Sequence, residues 1–294
     1  MKKFFNKLIF FIALPTVYIS FNLILNTFFI NQQKLELNKN KIFVFGDSHA
    51  DEAISSNYLK NSSNFSDGAE PYVFTYYKIK KYVEIYKPEI IIVGFSIHNV
   101  AEFSDHTFSN KISTVWSYEM FKRSFGLVDL NQLSEVFEVD LFSYYKALIM
   151  EKGIYPKKNK INREGFDFNT KTISDVSDTD KVIKGHFYDQ NKVYGVSKIS
   201  IKYLDSVVSF CNKNEIELVL VNPPVHEAYS KKIPKKIREK HNKLREKYIK
   251  NNVKYFEDTI NTYPDTLFRN SDHLNMYGSE KFSKELSRFL KESE

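Results

Sequence analysis

A hydrophobic strand that runs directly into Gly-Asp-Ser constrains this chain more than any other feature. The strand is predicted at residues 41–45, Lys-Ile-Phe-Val-Phe, and Gly46, Asp47 and Ser48 follow it. A buried strand that ends in this way places the serine hydroxyl at the carboxyl edge of a sheet, where loops present side chains to ligands. Ser48 is therefore a candidate nucleophile, and it needs a base.

The candidate base is His273, in the segment 272–278, Asp-His-Leu-Asn-Met-Tyr-Gly. It precedes the last predicted helix, and a nucleophile and its base need only be neighbours in space. Two residues are candidates to orient the imidazole, Asn270 three positions upstream and Asp272 directly adjacent. An amide can hold the ring, but it does not stabilise an imidazolium as a carboxylate does.

Short apolar runs alternate with helical patterns along residues 41–294, which predicts an α/β fold with a parallel sheet and helices on both faces. Residues 103–195 break the alternation and form an expected insertion, either a surface elaboration or a cap over the site. The predicted strands are 41–45, 89–93, 216–221 and 253–256, and the predicted helices are 71–86, 199–211 and a last one carrying Phe282, Leu286, Phe289 and Leu290.

The two end segments together resemble the SGNH (GDSL-type) hydrolase superfamily. The resemblance implies a three-layer α/β/α sandwich with a flavodoxin-like parallel sheet. It also implies catalysis by Ser48 and His273, and an oxyanion hole made by Ser48, Gly68 and Asn99. The amide usually stands two residues after a glycine, where this chain has Ser96. Residues 94–99, Gly-Phe-Ser-Ile-His-Asn, look like the variant of membrane-anchored members, so Asn99 takes the donor role.

Three further residues are candidates for the pocket. Ser96 is a rival serine, and His98 stands either in the site or in a structural bond to a backbone carbonyl. His226 follows the predicted strand 216–221 and the Pro223-Pro224 pair, which fixes an extended turn toward the site. A surface position is the other interpretation of His226.

The amino terminus predicts a membrane anchor. Residues 8–30 carry no charge, and 17 of these 23 residues are apolar, enough to span roughly 30 Å of hydrocarbon. A cleaved signal peptide is the alternative, but its apolar region is usually shorter and ends at a small-residue cleavage site. Three lysines precede the span, so we expect residues 1–30 as cytoplasmic flank and anchor, 31–40 as a stalk, and the domain in the periplasm or outside the cell.

The formal charge of +7 owes much to residues 231–254, which hold eleven Lys or Arg against two Glu. The segment is either a solvated helix or a contact for anionic headgroups or polymers. An exported domain argues against nucleic acid as a partner. No pattern predicts a metal, nucleotide or redox cofactor, and the single Cys211 excludes an internal disulfide.

Within the superfamily, the resemblance is to a membrane-anchored acyltransferase branch that includes alginate O-acetylation and teichoic-acid D-alanyl transfer proteins. It implies acyl transfer, with acetyl favoured, from a multispanning membrane acyltransferase onto a cell-surface glycan. One alternative is an esterase that removes such groups with the same residues. The other is a non-catalytic glycan-binding or assembly protein. Asn270, an amide where a triad has a carboxylate, would be the sign of lost catalysis.

Overall fold

The structure is a computed structural model, and it describes residues 1–32, 40–109, 114–154, 175–258 and 263–292. Parts of the expected stalk and of the expected insertion 103–195 therefore lie outside the described residues. Contacts divide the chain into two compact units. One comprises Met1–Glu36 with His106–Asn162, and the other comprises Leu37–Asp105 with Arg163–Glu294.

Helices and short strands alternate along the second unit, while the first is helical where it is described. The helices are α1 Lys2–Gln32, α2 Ser48–Ala53, α3 Tyr72–Tyr86, α4 Thr114–Ser124, α5 Leu130–Ser134, α6 Leu141–Leu148, α7 Thr179–Phe187, α8 Lys198–Lys213, α9 Glu227–Lys232, α10 Lys235–Lys250 and α11 Met276–Glu292. The strands are β1 Ile42–Phe45, β2 Ser62–Asn64, β3 Ile90–Gly94, β4 Tyr188–Asp189, β5 Lys192–Val193, β6 Glu217–Val221 and β7 Lys254–Phe256. Short 3₁₀ helices lie at Ile97–Val100, Glu102–His106 and Asp265–Leu267, and a π-helical turn at Ile149–Gly153.

Five strands form one parallel sheet in the order β2-β1-β3-β6-β7. This confirms the predicted α/β fold with a parallel sheet. The order reverses next to β1, because the chain first adds β2 on one side and then β3 on the other. In open sheets of this kind, ligands bind outside the carboxyl ends of the strands at such a reversal. Ser48 follows β1 at that point.

The sheet is buried on both faces, as all-parallel sheets require. Val44 and Ile92 face a core that α2 and α11 cover with Ala50, Phe282 and other apolar side chains. On the opposite face, helices α3, α8 and α10 pack over Phe43, Phe45 and their neighbours. The result is the three-layer sandwich that the sequence predicts.

The first unit surrounds an aromatic cluster. Phe108 and Phe121 are fully buried, and their ring centroids lie 5.4 Å apart. Tyr144 of α6 packs edge-on against Phe121 of α4 at 5.4 Å. Helix α1 is long and apolar enough to cross a membrane, and its side chains are mostly exposed. This fits the expected anchor by length and composition.

Candidate active site

Close packing at the end of β1 fixes the position of Ser48. Gly46 has φ +144°, and a Cβ there would lie 3.0 Å from Ala50 Cβ and 3.1 Å from the backbone nitrogen of Gly94. A Cβ on Gly94 would in turn lie 2.9 Å from Ala50 Cβ. Glycine at both positions therefore lets α2 begin directly over the strand ends. Asp47 caps this helix by accepting a hydrogen bond from the His49 N–H at 3.0 Å, and Ser48 is the first helical residue.

The loop before α11 brings His273 to Ser48. Asn275 holds this loop, since its amide donates to the Thr266 carbonyl at 2.7 Å and its Oδ1 accepts from the Tyr277 N–H at 3.0 Å. The Nε2 atom of His273 lies 2.8 Å from Ser48 Oγ. These two residues stand 225 positions apart in sequence and are joined at hydrogen-bond distance, the arrangement that a serine nucleophile and its base require.

Asn270 and Asp272 both lie behind His273, in different relationships to the ring. Asn270 Oδ1 lies 3.1 Å from His273 Nδ1 in hydrogen-bond geometry, and it also accepts from the His273 backbone N–H at 2.9 Å. Asp272 Oδ1 lies equally close to Nδ1, at 3.1 Å, but has no hydrogen-bond partner among the described residues. Because Nδ1 faces only oxygen acceptors, we assign its proton there, which leaves the Nε2 lone pair for the Ser48 hydroxyl.

Asp272 is also close to a second histidine. His49 Nε2 lies 3.4 Å from Asp272 Oδ2, and both side chains are almost fully buried. Burial alone would raise the pKa of the Asp272 carboxyl, but its contacts with His273 and His49 hold that pKa well below the usual range. The carboxyl is therefore ionised beside His273.

A second buried acid–histidine pair stands on the other side of Ser48. His98 Nε2 lies 2.7 Å from Asp47 Oδ2, and Asn99 Nδ2 donates to the same oxygen at 2.6 Å. Burial would raise the pKa of Asp47, but the charge and hydrogen bond of His98, with help from His49 and Asn99, hold it well below its usual range. Burial and the neighbouring His49 lower the pKa of His98. His98 is thus bonded to a carboxylate instead of a backbone carbonyl, and it lines the same cavity as Ser48.

Of the expected oxyanion donors, Asn99 lines the cavity at Ser48 and Gly68 does not. Asn99 lines the same small cavity as Ser48, and its Oδ1 accepts from the Ser96 N–H at 2.8 Å, which fixes the amide. The Asn99 Nδ2 atom carries two hydrogens; it donates to Asp47 and also lies 3.3 Å from His98 Nε2. Gly68 occupies the turn after β2, but the residue of this turn that lines the cavity is Ala69, with φ +52°.

The cavity at Ser48 is small, about 50 Å³. His98, Phe103 and His186 form part of its wall, with the His98 and His186 rings stacked at 4.6 Å. His186 Nδ1 lies 2.7 Å from the hydroxyl of Tyr229. The sequence singled out neither His186 nor Tyr229. His186 lies within the expected insertion, and its ring contacts with His98, Phe103 and Tyr229 join positions distant in the chain.

A larger cavity of about 190 Å³ opens beyond β3, β6 and β7 at the same edge of the sheet. Its polar lining includes Ser96, Asn222, Arg238 and Glu257, and His98 borders both cavities. Ser96 thus lies in this second cavity and does not line the one at Ser48.

His226 has a local structural role. Its Nδ1 accepts from the Ala228 N–H at 3.1 Å at the start of α9, and its Nε2 lies 2.9 Å from Asp265 Oδ1. It lines neither the cavity at Ser48 nor the larger one. The structure therefore does not bring His226 together with Ser48 and His273.

His49, Asp272 and His273 also bring one ligand atom each within 4.8 Å of one another. Nitrogen and carboxylate oxygen are ligands that a divalent cation accepts. A cation at this position would use the same atoms that face one another across Asp272. We assign the cluster to acid–base chemistry, because His273 already bonds Ser48 and Asn270.

Two solved structures resemble this chain at low sequence identity. A candidate acylhydrolase from Bacteroides fragilis is 8% identical with a TM-score of 0.42, and the match covers 91% of this chain and 94% of that one. A candidate GDSL-like lipase from Parabacteroides merdae is 9% identical with a TM-score of 0.39, covering 89% and 100%. No family model and no curated protein matches the chain. At such identities, activity has to be inferred from the side chains of the site itself.

Proposed function

We propose that this protein is a membrane-anchored SGNH-type acyltransferase that places a short acyl group, acetyl by preference, on a hydroxyl of a cell-surface glycan. The observation that carries the proposal is the 2.8 Å contact between Ser48 Oγ and His273 Nε2 at the carboxyl edge of β1. A serine with a bonded histidine at the reversal point of a parallel sheet suits acyl transfer.

In the first step, Ser48 Oγ attacks the carbonyl carbon of the acyl donor while its proton passes to His273 Nε2. A new bond joins Oγ to the carbonyl carbon, and the bond to the donor's leaving group breaks as that group takes the proton. Asp272 stabilises the transient imidazolium by charge, and Asn270 holds the ring through Nδ1. The Asn99 amide and the backbone N–H groups of Ser48 and Ala69 stabilise the oxyanion.

In the second step, a glycan hydroxyl gives its proton to His273 Nε2 and attacks the acyl-serine carbonyl. The bond between the carbonyl carbon and Ser48 Oγ breaks, and the proton returns to Oγ. The same steps with water as acceptor give an esterase. The two activities therefore share every residue named here and differ only in the acceptor.

Two features support the short acyl group and the glycan. A cavity of about 50 Å³ at Ser48 has room for only a few water-sized groups, which suits acetyl. The larger cavity offers an amide, a guanidinium and a carboxylate beside apolar walls, and such a mixture suits a sugar ring with several hydroxyls. We assign the glycan acceptor to this second cavity.

The anchor completes the proposal. Lys2, Lys3 and Lys7 favour a cytoplasmic amino terminus and a domain on the outer side of the membrane. A multispanning acyltransferase in the same membrane would deliver the acyl group, and tethering raises the effective concentration of Ser48 near that partner.

The test supplies purified full-length protein with an activated acetyl ester and a set of neutral and acidic oligosaccharides. Mass spectrometry then measures acetyl groups on sugar, and acetate release measures hydrolysis. Acetylated sugar that disappears in Ser48→Ala supports transfer. Acetate alone, at a rate that added oligosaccharide does not alter, establishes the esterase instead. Oligosaccharide binding with neither product supports the non-catalytic alternative.

A further inference from the structure

Helix α1 holds a second helical segment tightly against one of its faces. Three polar side chains spaced four residues apart on α1 donate hydrogen bonds to three consecutive backbone carbonyls at the end of the π-helical turn. Carbonyls at the end of a helix lack partners of their own, so these bonds satisfy them. The pairs are Tyr18 Oη to Ile154 at 3.0 Å, Asn22 Nδ2 to Gly153 at 3.0 Å and Asn26 Nδ2 to Lys152 at 2.6 Å.

The backbones approach closely at this contact. A Cβ on Gly153 would lie 2.8 Å from Cγ2 of Ile19, so glycine allows the turn to lie directly on α1. Small residues at helix contacts and amide bonds between helices are the usual means of association inside a bilayer. Asn22 and Asn26 are almost fully buried here, although the rest of α1 is largely exposed.

The segment fixed to α1 presents an apolar face to its surroundings. Ser143 and Ala147 of α6 are buried, whereas the large apolar side chains at other positions of α6 and the turn are exposed. Five exposed large apolar side chains on one short segment mark a contact surface. The exposed fractions are 53% for Leu141, 76% for Phe142, 51% for Tyr145, 40% for Ile149 and 42% for Met150.

The position of the contact along α1 indicates what covers this face. Residues 18–26 belong to the charge-free stretch 8–30, and at 1.5 Å per residue they occupy about 12 Å of its carboxyl half. Whatever surrounds that half of α1 also surrounds the segment bonded to it. The exposed face has aromatic side chains and one exposed lysine, Lys146, whose stem can reach toward headgroups. Amphipathic helices of this composition lie at the boundary between headgroups and acyl chains.

We propose that α6 and the π-helical turn lie in the bilayer leaflet that the carboxyl half of α1 enters, with Phe142, Tyr145 and Ile149 among the lipid acyl chains. Lipid is the occupant of this face. The first unit is then a membrane-embedded base, held to α1 by three hydrogen bonds. This inference goes beyond acyl transfer and does not depend on it.

The test reconstitutes the full chain in liposomes whose lipids carry bromine on their acyl chains, and it measures quenching of a thiol-linked bimane. Labels are placed in Phe142→Cys and Ile149→Cys. Ile12→Cys in the amino-terminal half of α1 is the control for a site in the bilayer, and Lys213→Cys at the exposed end of α8 is the control for a polar surface. The native Cys211 is fully buried and leaves the background label-free.

We expect quenching at Phe142→Cys and Ile149→Cys to approach that of Ile12→Cys and to exceed that of Lys213→Cys several-fold. Quenching at the level of Lys213→Cys, with Ile12→Cys strongly quenched, overturns the proposal while keeping the anchor. A bifunctional maleimide that cross-links two Phe142→Cys chains efficiently overturns it in favour of a second copy. Weak quenching at all positions, Ile12→Cys included, overturns both the proposal and the anchor.

Discussion

Asp272 Oδ1 lies 3.1 Å from His273 Nδ1 without sharing a hydrogen bond with it. The hydrogen bond from Nδ1 goes to Asn270 instead, at 3.1 Å. In the proposed mechanism, orientation and charge compensation, which one carboxylate combines in a serine triad, are therefore divided between an amide and a neighbouring acid.

The division predicts unequal effects of two substitutions on turnover. Asp272→Asn keeps the shape of the side chain but removes the charge that stabilises the imidazolium, so kcat should fall roughly 1,000-fold or more. Asn270→Ala should cost less, because Asp272 remains beside the ring. Steady-state hydrolysis of an acetyl ester measures both. Asn270→Asp is the matched control and should keep a rate similar to the parent or higher. A larger loss in Asn270→Ala than in Asp272→Asn would contradict the division.

We expect His49 to affect catalysis as a positioning residue, through Asp272, whose Oδ2 lies 3.4 Å from His49 Nε2. Its contact helps to hold the pKa of the Asp272 carboxyl low, so His49→Phe should let that pKa rise toward its usual range. Protonated Asp272 cannot stabilise the imidazolium. The acid limb of the pH–rate profile should therefore move to higher pH, with little loss near neutrality, where the carboxyl stays ionised. A uniform loss with an unmoved acid limb would indicate a purely structural role, and His49→Gln should restore part of the rate if the contact matters.

Asn99 should act on the transition state more than on binding. Its amide is fixed by the Ser96 N–H and by Asp47, and it lines the cavity at Ser48. Loss of one oxyanion donor costs roughly 100-fold in kcat. We expect this loss in Asn99→Ala with little change in KM. Ser104→Ala, which alters the same cavity wall, is the control and should stay close to the parent. A loss confined to KM would reject the donor role.

The raised pKa of the buried Asp51 carboxyl should make the stability of the folded protein depend on pH. Burial, with Glu52 and Asp67 nearby, raises the pKa of its carboxyl from 3.8 to about 7. The folded state then binds a proton that the unfolded chain has lost, so this group lowers stability as pH rises from about 4 to 7. Asp51→Asn should gain about 1–3 kcal/mol at pH 8 and almost nothing at pH 4. Thermal unfolding of parent and variant at the two pH values measures this, and an equal gain at both would refute it.

The fold could be predicted largely from sequence because β1, β3 and β6 are continuous apolar runs. Their burial on both faces is what an all-parallel sheet requires. β2 consists of Ser-Ser-Asn and carries no such pattern, although its residues are buried. Its place in the sheet depends on pairing with β1, which local sequence does not encode.

Sequence reasoning could predict the site residues that follow strand ends or stand in short motifs. It could not predict those that come together only through contacts between distant parts of the chain. Ser48, His273 and Asn99 each stand in a short motif. His49 and His186, which no motif indicated, join His98 and Asp47 in a buried group whose members meet only after folding. The choice between Asn270 and Asp272 needed atomic positions, because both lie 3.1 Å from the same nitrogen.

The most direct test of the central claim is the mass of the protein after reaction with an activated acetyl ester. In the proposed mechanism His273 accepts the Ser48 proton, so the full-length chain should become heavier by one acetyl group, and peptide mapping should place it on Ser48. Ser96→Ala should be labelled as the parent is, and Ser48→Ala should not be labelled. Labelling that persists in Ser48→Ala, or that is lost in Ser96→Ala, would contradict the assignment of Ser48 as the nucleophile.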